Sequence, residues 1–279
     1  MCDNHGISAD QHAEGRVVPL KGMHRRDLVR ALMGGAVIVG ASGMAGCETA
    51  AAFLAPSDAD LVPMAAQAWA ETKQQTPISK DAAANARLVR IGTRIASVAN
   101  VPNAQWEFVV FDSKELNAFC LPGGKVGFYK GLLDFVDNDD QVAAVLGHEV
   151  GHVVLRHAAL RAGQESATSI GLSLGQAALG SQVKMSSDAL NMVMAAAGAG
   201  AQVGILLPFS RSNETDADRV GVDYMAQLKY DTKQAVRLWE KMGKASTNRP
   251  QEWMSTHPNP ESRVADLKAY ITSKGYATF

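Results

Sequence analysis

Residues 147–158, with the sequence GHEVGHVVLRHA, place three histidines and a glutamate inside an otherwise apolar run. His148 and His152 are four residues apart, so on an α-helix they project from the same face, one turn along. Burying a histidine pair and a glutamate costs free energy unless other groups partner them. A helix with this sequence therefore has to pack against an element that supplies such a partner, and Gly147 and Gly151 leave room for it.

The motif HExxH at residues 148–152 is typical of a helix that presents two imidazoles to one Zn²⁺ ion. Glu149 lies about 100° around the helix from His148, where its carboxylate can reach an attacking water and take its proton. The motif thus predicts a catalytic zinc site with Glu149 as the general base. An ordinary helix with satisfied histidines is the alternative, so the prediction needs support from the rest of the chain.

A catalytic zinc site also needs a third protein ligand and an open position. His157 is five residues beyond His152, about 140° off its face on a continuous helix, and is interpreted as a non-ligand. Glu214, in the sequence FSRSNETDADRVG on a predicted helix after Pro208, is the better candidate. Asp218 shares its face and can hydrogen-bond a ligand histidine. A solvated acidic face is the alternative interpretation of these two carboxylates.

Four motifs follow one another along the chain: NAFCLPGGKVGFYKGLL, HEVGH, SRSNETDAD and STHPNPESR. This series resembles the gluzincin zinc peptidases of the HtpX, BepA and LoiP type, which are related to the CAAX prenyl proteases. The resemblance extends over residues 80–270, and Cys120 stands where the family more usually has alanine. It implies a mainly helical α+β fold, like that of a minigluzincin, with a small β-sheet or hairpin beside the HExxH helix.

The resemblance also implies roles for individual residues. It implies one Zn²⁺ ion per chain, and the ligands that it assigns are His148, His152 and Glu214. Glu149 is the implied base, and Asp218 is the implied partner of a ligand.

A further histidine, His257 in the sequence STHP, is implied to approach the metal. Two catalytic roles stay open for His257: a ligand that blocks the site at rest, or a group that stabilises the tetrahedral intermediate. Arg263 is expected to lie beside the ligands with Asp218, where it orients His257 or binds substrate.

Hydrophobic spacing predicts the secondary structure around these motifs. A strand is predicted over residues 106–111, and Pro122-Gly123-Gly124 indicates a hairpin turn. For residues 192–207, which are strongly apolar, a buried close-packed helix is preferred to a helix that dips into a membrane surface. Helical patterns cover residues 58–100, 132–135, 140–162, 210–229, 232–246 and 260–273.

The N-terminal residues are interpreted as an export signal of the lipoprotein type. Three arginines precede an uncharged apolar run at residues 31–46, which is shorter than the roughly 20 residues that span a bilayer. Met44-Ala45-Gly46-Cys47 resembles a bacterial lipobox, which implies lipidation of Cys47. General secretion is preferred to the twin-arginine route that Arg25-Arg26 would also fit, and Met23 is an alternative start.

The predicted organisation is an export signal at 1–46, a lipidated tether at 47–57 and a zinc metallopeptidase domain at 58–279. Cys120 is then the lone thiol of the mature chain and is interpreted as a packed small side chain. A catalytic cysteine is the less favoured alternative, because no base or orienting group lies near it in the sequence.

The net charge of −1 gives no basic footprint for nucleic acid, so that class of partner is excluded. The predicted function is zinc-dependent endopeptidase of the bacterial cell envelope, facing the periplasm and held by a lipid anchor, with the outer membrane favoured. Its expected substrates are unfolded or misassembled envelope proteins, bound along a sheet edge near residues 117–128, with residues 165–207 over the cleft. The alternatives are a zinc-containing periplasmic chaperone or assembly factor with little proteolysis, and a metal-free helical scaffold.

Overall fold

The computed structural model describes residues 52–178, 210–246, 257 and 260–279. The helices that it describes, in chain order, are α1 (Asp58–Gln75), α2 (Ala82–Val98), α3 (Lys130–Phe135), α4 (Asp139–Val154), α5 (His157–Ala178), α6 (Arg211–Gln227), α7 (Lys233–Ser246) and α8 (Pro260–Ser273). The strands are β1 (Glu107–Phe111), β2 (Ala118–Leu121) and β3 (Lys125–Tyr129).

The predicted mainly helical α+β fold with a small sheet is confirmed by these elements. The predicted export signal, its Cys47 and the apolar run at 192–207 lie outside the described residues. Among the helices that the structure describes, we find none with the length and apolar composition needed to span a bilayer.

The predicted helical stretch at 58–100 is divided into α1 and α2 by residues 76–81. Thr76 takes an extended conformation that ends α1. The side chain of Asp81 accepts a hydrogen bond from the Ala84 N–H at 3.0 Å, which caps the start of α2. Pro77 within this segment is a signal for a helix end that the hydrophobic spacing by itself does not show.

The predicted helix at 140–162 is also interrupted, immediately after the HExxH motif. Helix α4 ends at Val154, and Arg156 takes a left-handed conformation with φ of 55° before α5 begins at His157. A left-handed residue cannot continue a right-handed helix, so the chain changes direction at this point. The interruption determines where the His157 ring lies.

The sheet has the strand order β1-β3-β2, in which β1 is parallel and β2 antiparallel to β3. The predicted hairpin turn joins β2 to β3, and its Gly123 and Gly124 both have positive φ, at 85° and 88°. Glycine adopts such angles without a steric penalty. Residues 77–79 form backbone hydrogen bonds along the outer edge of β1, at 2.7 and 2.8 Å. Strand β2 is therefore the other edge of the sheet.

Helix α4 lies at the centre of the fold and contacts α2, α5, α6, α7 and β2. Every residue from Gln141 to His152 is buried. Its first turn is stabilised by Asn138, whose side chain accepts a hydrogen bond from the Gln141 N–H at 3.0 Å. Asp139 is held by two ion pairs from α2, with Arg87 at 2.8 Å and Arg90 at 2.7 Å. The position of α4 is thus fixed from several sides.

Helices α4 and α6 cross at glycine residues, with their backbones in direct contact. A Cβ atom at Gly221 of α6 would lie 2.8 Å from the His148 nitrogen and 2.9 Å from the Gly147 carbonyl carbon. One at Gly151 would lie 2.9 Å from the Ala217 oxygen. The room that the α4 glycines provide is therefore filled by α6, and this contact sets the distance between the side chains of the two helices.

We expect Gly221→Ala to destabilise the metal-free protein by roughly 1–3 kcal/mol, because the added methyl group meets backbone atoms that can yield only if the helices separate. Separation also moves the side chains of α6 away from His148 and weakens zinc binding. Urea denaturation and a zinc competition titration measure the two effects. Gln227→Ala, at an exposed position of the same helix, is the control, and an unchanged unfolding free energy for Gly221→Ala would contradict the expectation.

Candidate metal centre

The two histidines of the HExxH motif meet at the buried face of α4. His148 and His152 are 3% and 4% exposed, and their Nε2 atoms lie 3.0 Å apart. The one-turn spacing of the motif therefore brings two imidazole nitrogens to the same point. Burial is the main reason why the pKa of His152 lies well below its ordinary value, so that ring is neutral and has a lone pair to offer.

Helix α6 brings Glu214 to the same point. The helix starts at Ser210, whose hydroxyl accepts a hydrogen bond from the Asn213 N–H, and Glu214 follows in the first turn. Its Oε2 lies 3.5 Å from Nε2 of His148, and its Oε1 lies 3.4 Å from Nε2 of His152. With an exposure of 1%, the Glu214 side chain does not belong to a solvated acidic face.

His257 completes the group. Its Nδ1 lies 3.1 Å from Nε2 of His148 and 3.0 Å from Oε1 of Glu214. Burial opposes the ionisation of Glu214, but the neighbouring histidines, His257 foremost, outweigh it and hold the pKa of this carboxyl far below its ordinary value. The predicted ligands and His257 are thus brought together.

The residues present fit a Zn²⁺ ion. One ligand atom from each of His148, His152, Glu214 and His257 lies within 4.8 Å of every other. Bond lengths of roughly 2.0–2.2 Å around a tetrahedral ion place ligand atoms about 3.3–3.5 Å apart, close to the separations of 3.0–3.5 Å seen here. Imidazole nitrogens with one carboxylate oxygen are also the ligand types that zinc favours.

Asp218 and Arg263 surround the ligands. Oδ1 of Asp218 lies 2.9 Å from Nδ1 of His148, where it can accept a hydrogen bond from the tautomer that presents Nε2 to a metal, and Nη2 of Arg263 lies 3.0 Å from the same Nδ1. Arg263 donates from Nε to Oδ2 of Asp218 at 2.7 Å and from Nη1 to Oε2 of Glu214 at 2.6 Å. Its guanidinium also lies 3.4 Å from the centre of the Trp239 ring. Arg263 therefore ties α8 to the Glu214 and Asp218 carboxylates of α6.

Burial by itself would raise the pKa of Asp218. The charge of Arg263 and the hydrogen bond with His148 outweigh it, so the pKa lies below its ordinary value and the carboxyl is ionised at neutral pH. An ionised Asp218 can accept a hydrogen bond from Nδ1–H of His148, and it balances the buried charge of Arg263.

Glu149 and Cys120 lie beside this group without belonging to it. Oε1 of Glu149 is 3.5 Å from Nε2 of His257, on the side of that ring away from its Nδ1. Burial, with a smaller contribution from the charge of Glu149, raises the pKa of the Cys120 thiol well above its ordinary value. The thiol is therefore protonated at neutral pH, which fits the interpretation of Cys120 as a packing residue rather than a nucleophile.

His157 has a contact that the sequence did not indicate. It lies outside the group of possible ligands, as predicted, but its Nδ1 is 2.8 Å from Nδ1 of His152. The angle of about 140° between these residues holds only for a continuous helix, and the turn at Arg156 removes that condition. Neither glycine nor asparagine marks the turn, so no local signal was available.

The model of peptidase family M48 matches residues 82–271. The chain belongs to peptidase family M48. The resemblance to the gluzincin peptidases and the prediction of a zinc cofactor are thereby confirmed, since this family is zinc-dependent and the buried group can hold a metal ion.

Two relatives illustrate the range of this M48 chain's similarities. It is 35% identical to the mitochondrial metalloendopeptidase OMA1 of Schizosaccharomyces pombe over 184 residues, which are 65% of the chain and 51% of that protein. It is 32% identical to the beta-barrel assembly-enhancing protease of Escherichia coli (strain K12) over 202 residues, 71% of the chain and 41% of that protein. The chain thus spans about half, or less, of the length of these relatives.

We expect Asp218→Asn to weaken zinc binding by roughly ten- to 100-fold, because the amide no longer offers a charged acceptor to His148 and faces Arg263 with a donor. The zinc dissociation constant, measured by competition with a chelator, tests this expectation. Asp216→Asn is the matched control, since its side chain lies on the same helix and is 53% exposed. Equal affinities for the two variants would show that Asp218 does not orient His148.

Proposed function

We propose that the chain is a zinc-dependent endopeptidase in which Glu149 is the general base. The single observation that carries the proposal is the buried convergence of His148, His152 and Glu214 from two helices, next to Glu149. Membership of peptidase family M48 supports it. The relatives are named as a metalloendopeptidase and a protease, which agrees with hydrolysis of peptide bonds.

Each residue of the proposed centre has a distinct task. A bound Zn²⁺ polarises a carbonyl oxygen and lowers the pKa of water. His148 and His152 present Nε2 and Glu214 presents one oxygen, while Arg263 holds the second oxygen of Glu214. Glu149 accepts the proton of the attacking water and returns it to the leaving amine.

His257 is proposed as a ligand that closes the site at rest. With its Nδ1 among the ligand atoms, four protein groups would surround a zinc ion, whereas catalysis needs one position open. The His257 ring also lies between the ligands and Glu149, where substrate and water have to enter. Of the two roles that the sequence left open, the observed distances favour the blocking role, and His257 has to withdraw before a substrate binds.

The polypeptide substrate is proposed to bind along β2. Among the described residues no strand pairs with the outer edge of β2, whereas residues 77–79 cover that of β1. Strand β2 also packs against α4, and the charge of Glu149 contributes to the raised pKa of Cys120 on this strand. An extended peptide added to this edge gains main-chain hydrogen bonds that do not depend on its sequence. Unfolded or misassembled chains are the substrates that such binding suits.

The proposed location is the bacterial cell envelope, with a lipid on Cys47 as the anchor and the outer membrane as the favoured membrane. The support is the export-signal pattern of residues 1–46 and the similarity to a protease whose name refers to β-barrel assembly. The chain is similar to a mitochondrial metalloendopeptidase as well, so the proposed location rests mainly on the export-signal pattern.

The closed arrangement at His257 also favours a second candidate function. Four protein ligands are typical of structural zinc sites, so a zinc-containing chaperone or assembly factor with little proteolysis fits the resting geometry. The two functions differ in their need for Glu149, because binding an unfolded chain requires no base.

We expect Glu149→Gln to retain zinc while kcat for cleavage of a fluorescently labelled unfolded polypeptide falls roughly 10²–10⁴-fold, because the amide cannot accept a proton. Zinc content by mass spectrometry and a fluorescence assay give the two quantities. Glu240→Gln, whose side chain on α7 is 41% exposed, is the control. If Glu149→Gln instead retains full activity in cells and wild type shows no cleavage, the chaperone function is the correct one.

We expect His257→Ala to cleave the same polypeptide several-fold faster than wild type at saturating zinc, because the substitution opens the fourth position. Steady-state kinetics with equal zinc loading measures this effect. A loss of activity with zinc retained would instead assign His257 to stabilisation of the tetrahedral intermediate.

A further inference from the structure

His152 at the end of α4 and His157 at the start of α5 form a contact that the proposed catalytic roles do not explain. Nδ1 of His157 lies 2.8 Å from Nδ1 of His152, and the ring centres are 5.0 Å apart at an angle of 69°. Both side chains are buried, at 3% and 4% exposed. His157 lies outside the group of possible metal ligands, so a proton between the two nitrogens explains this short contact, because two lone pairs would otherwise repel each other.

The position of His152 in the ligand group decides which ring carries that proton. Nε2 of His152 points to Nε2 of His148 and to Oε1 of Glu214, at 3.0 and 3.4 Å. A neutral imidazole that offers Nε2 to a metal has its proton on Nδ1. His152 is therefore the donor of the contact and His157 is the acceptor.

The break after α4 makes this contact possible. Arg156 has φ of 55°, and the Leu155 and Arg156 N–H groups turn back to the oxygens of Gly151 and Val153, each at 3.0 Å. The chain then starts α5 with the His157 side chain directed at His152. The Arg156 side chain also holds the turn from outside, through hydrogen bonds to Asp58 at 3.0 Å and to the Pro56 carbonyl at 2.9 Å.

The two ligand histidines of α4 thus have different partners at Nδ1. His148 faces the carboxylate of Asp218, whereas His152 faces the imidazole of His157. Either partner fixes the ring orientation and the position of the proton, which is how such partners raise the affinity of a metal site. Each of the two α4 histidines therefore has a polar partner at Nδ1 among the described residues.

We propose that His157 is a positioning residue, which accepts a hydrogen bond from Nδ1–H of His152 and so holds that ligand in the tautomer and orientation that bind zinc. The inference rests on the proposed zinc centre and adds His157 to it. His157 does not touch the metal or the substrate.

Two nearly isosteric variants test the proposal on the full chain. His157→Asn keeps a side-chain acceptor at the position of Nδ1, whereas His157→Leu has a similar shape and lacks one. We expect zinc to dissociate roughly ten- to 100-fold more readily from His157→Leu, with most of the affinity restored in His157→Asn. Competition with a chromophoric chelator measures the dissociation constants, and the visible spectrum of the Co²⁺-loaded proteins reports the ligand geometry. Leu160→Gln, at an exposed position of α5, is the control.

The outcomes separate the inference from the proposed function. Equal affinities and equal Co²⁺ spectra for wild type and His157→Leu would overturn the role of His157 while leaving the zinc centre intact. Equal losses in both His157 variants, in step with lower thermal stability of the metal-free proteins, would overturn it as well and leave a packing role. Failure of wild type to bind zinc would overturn the proposed function, and the inference with it. Should the Leu variant not fold, His157→Gln and His157→Met repeat the comparison with longer side chains.

Discussion

The contact between the backbones of α4 and α6 determines the whole centre. Gly147, Gly151 and Gly221 let the helices approach until atoms of one main chain touch the other. At that distance the short side chain of Glu214 reaches the imidazoles of α4, and Asp218, one turn later, reaches Nδ1 of His148. If the two helices crossed at a greater distance, the same residues would follow one another along the chain but their side chains would not meet around one metal position. The glycines are therefore as necessary to the site as the groups that bind.

Charge balance is the second constraint on the centre. Three carboxylates, Glu149, Glu214 and Asp218, lie buried in the centre, where Arg263 contacts the last two and Glu149 lies beside His257. The three carboxylates and the guanidinium together carry a formal charge of about −2, which one divalent cation would neutralise. Without such a cation the buried negative charge is in excess. Uncompensated buried charge is costly, so the same acidic residues that form the site also favour its occupation by a dication.

Much of this centre could be predicted from the sequence because its geometry is local. The spacing of His148 and His152, and of Glu214 and Asp218, follows from the helical repeat alone. The meeting of the two helices did not follow from spacing, and only the order of the motifs and the family resemblance indicated it. The contact of His157 with His152 could not be predicted, because it depends on the left-handed conformation of Arg156 and no glycine or asparagine is present there to indicate such a turn. The 76–81 interruption, in contrast, contains Pro77, so its location could be predicted from the residue type although not from the apolar spacing.

The distribution of the ligands along the chain has a consequence for folding. His148 and His257 are 109 residues apart, yet their ring nitrogens meet at 3.1 Å. An unfolded chain offers a metal little more than the neighbouring histidine pair of α4, since bringing in the distant groups costs loop-closure entropy. Capture of the ion therefore belongs to the last stage of folding, after the helices have docked. An ion captured so late has little effect on how quickly the native state forms, and it acts mainly by lengthening the lifetime of that state.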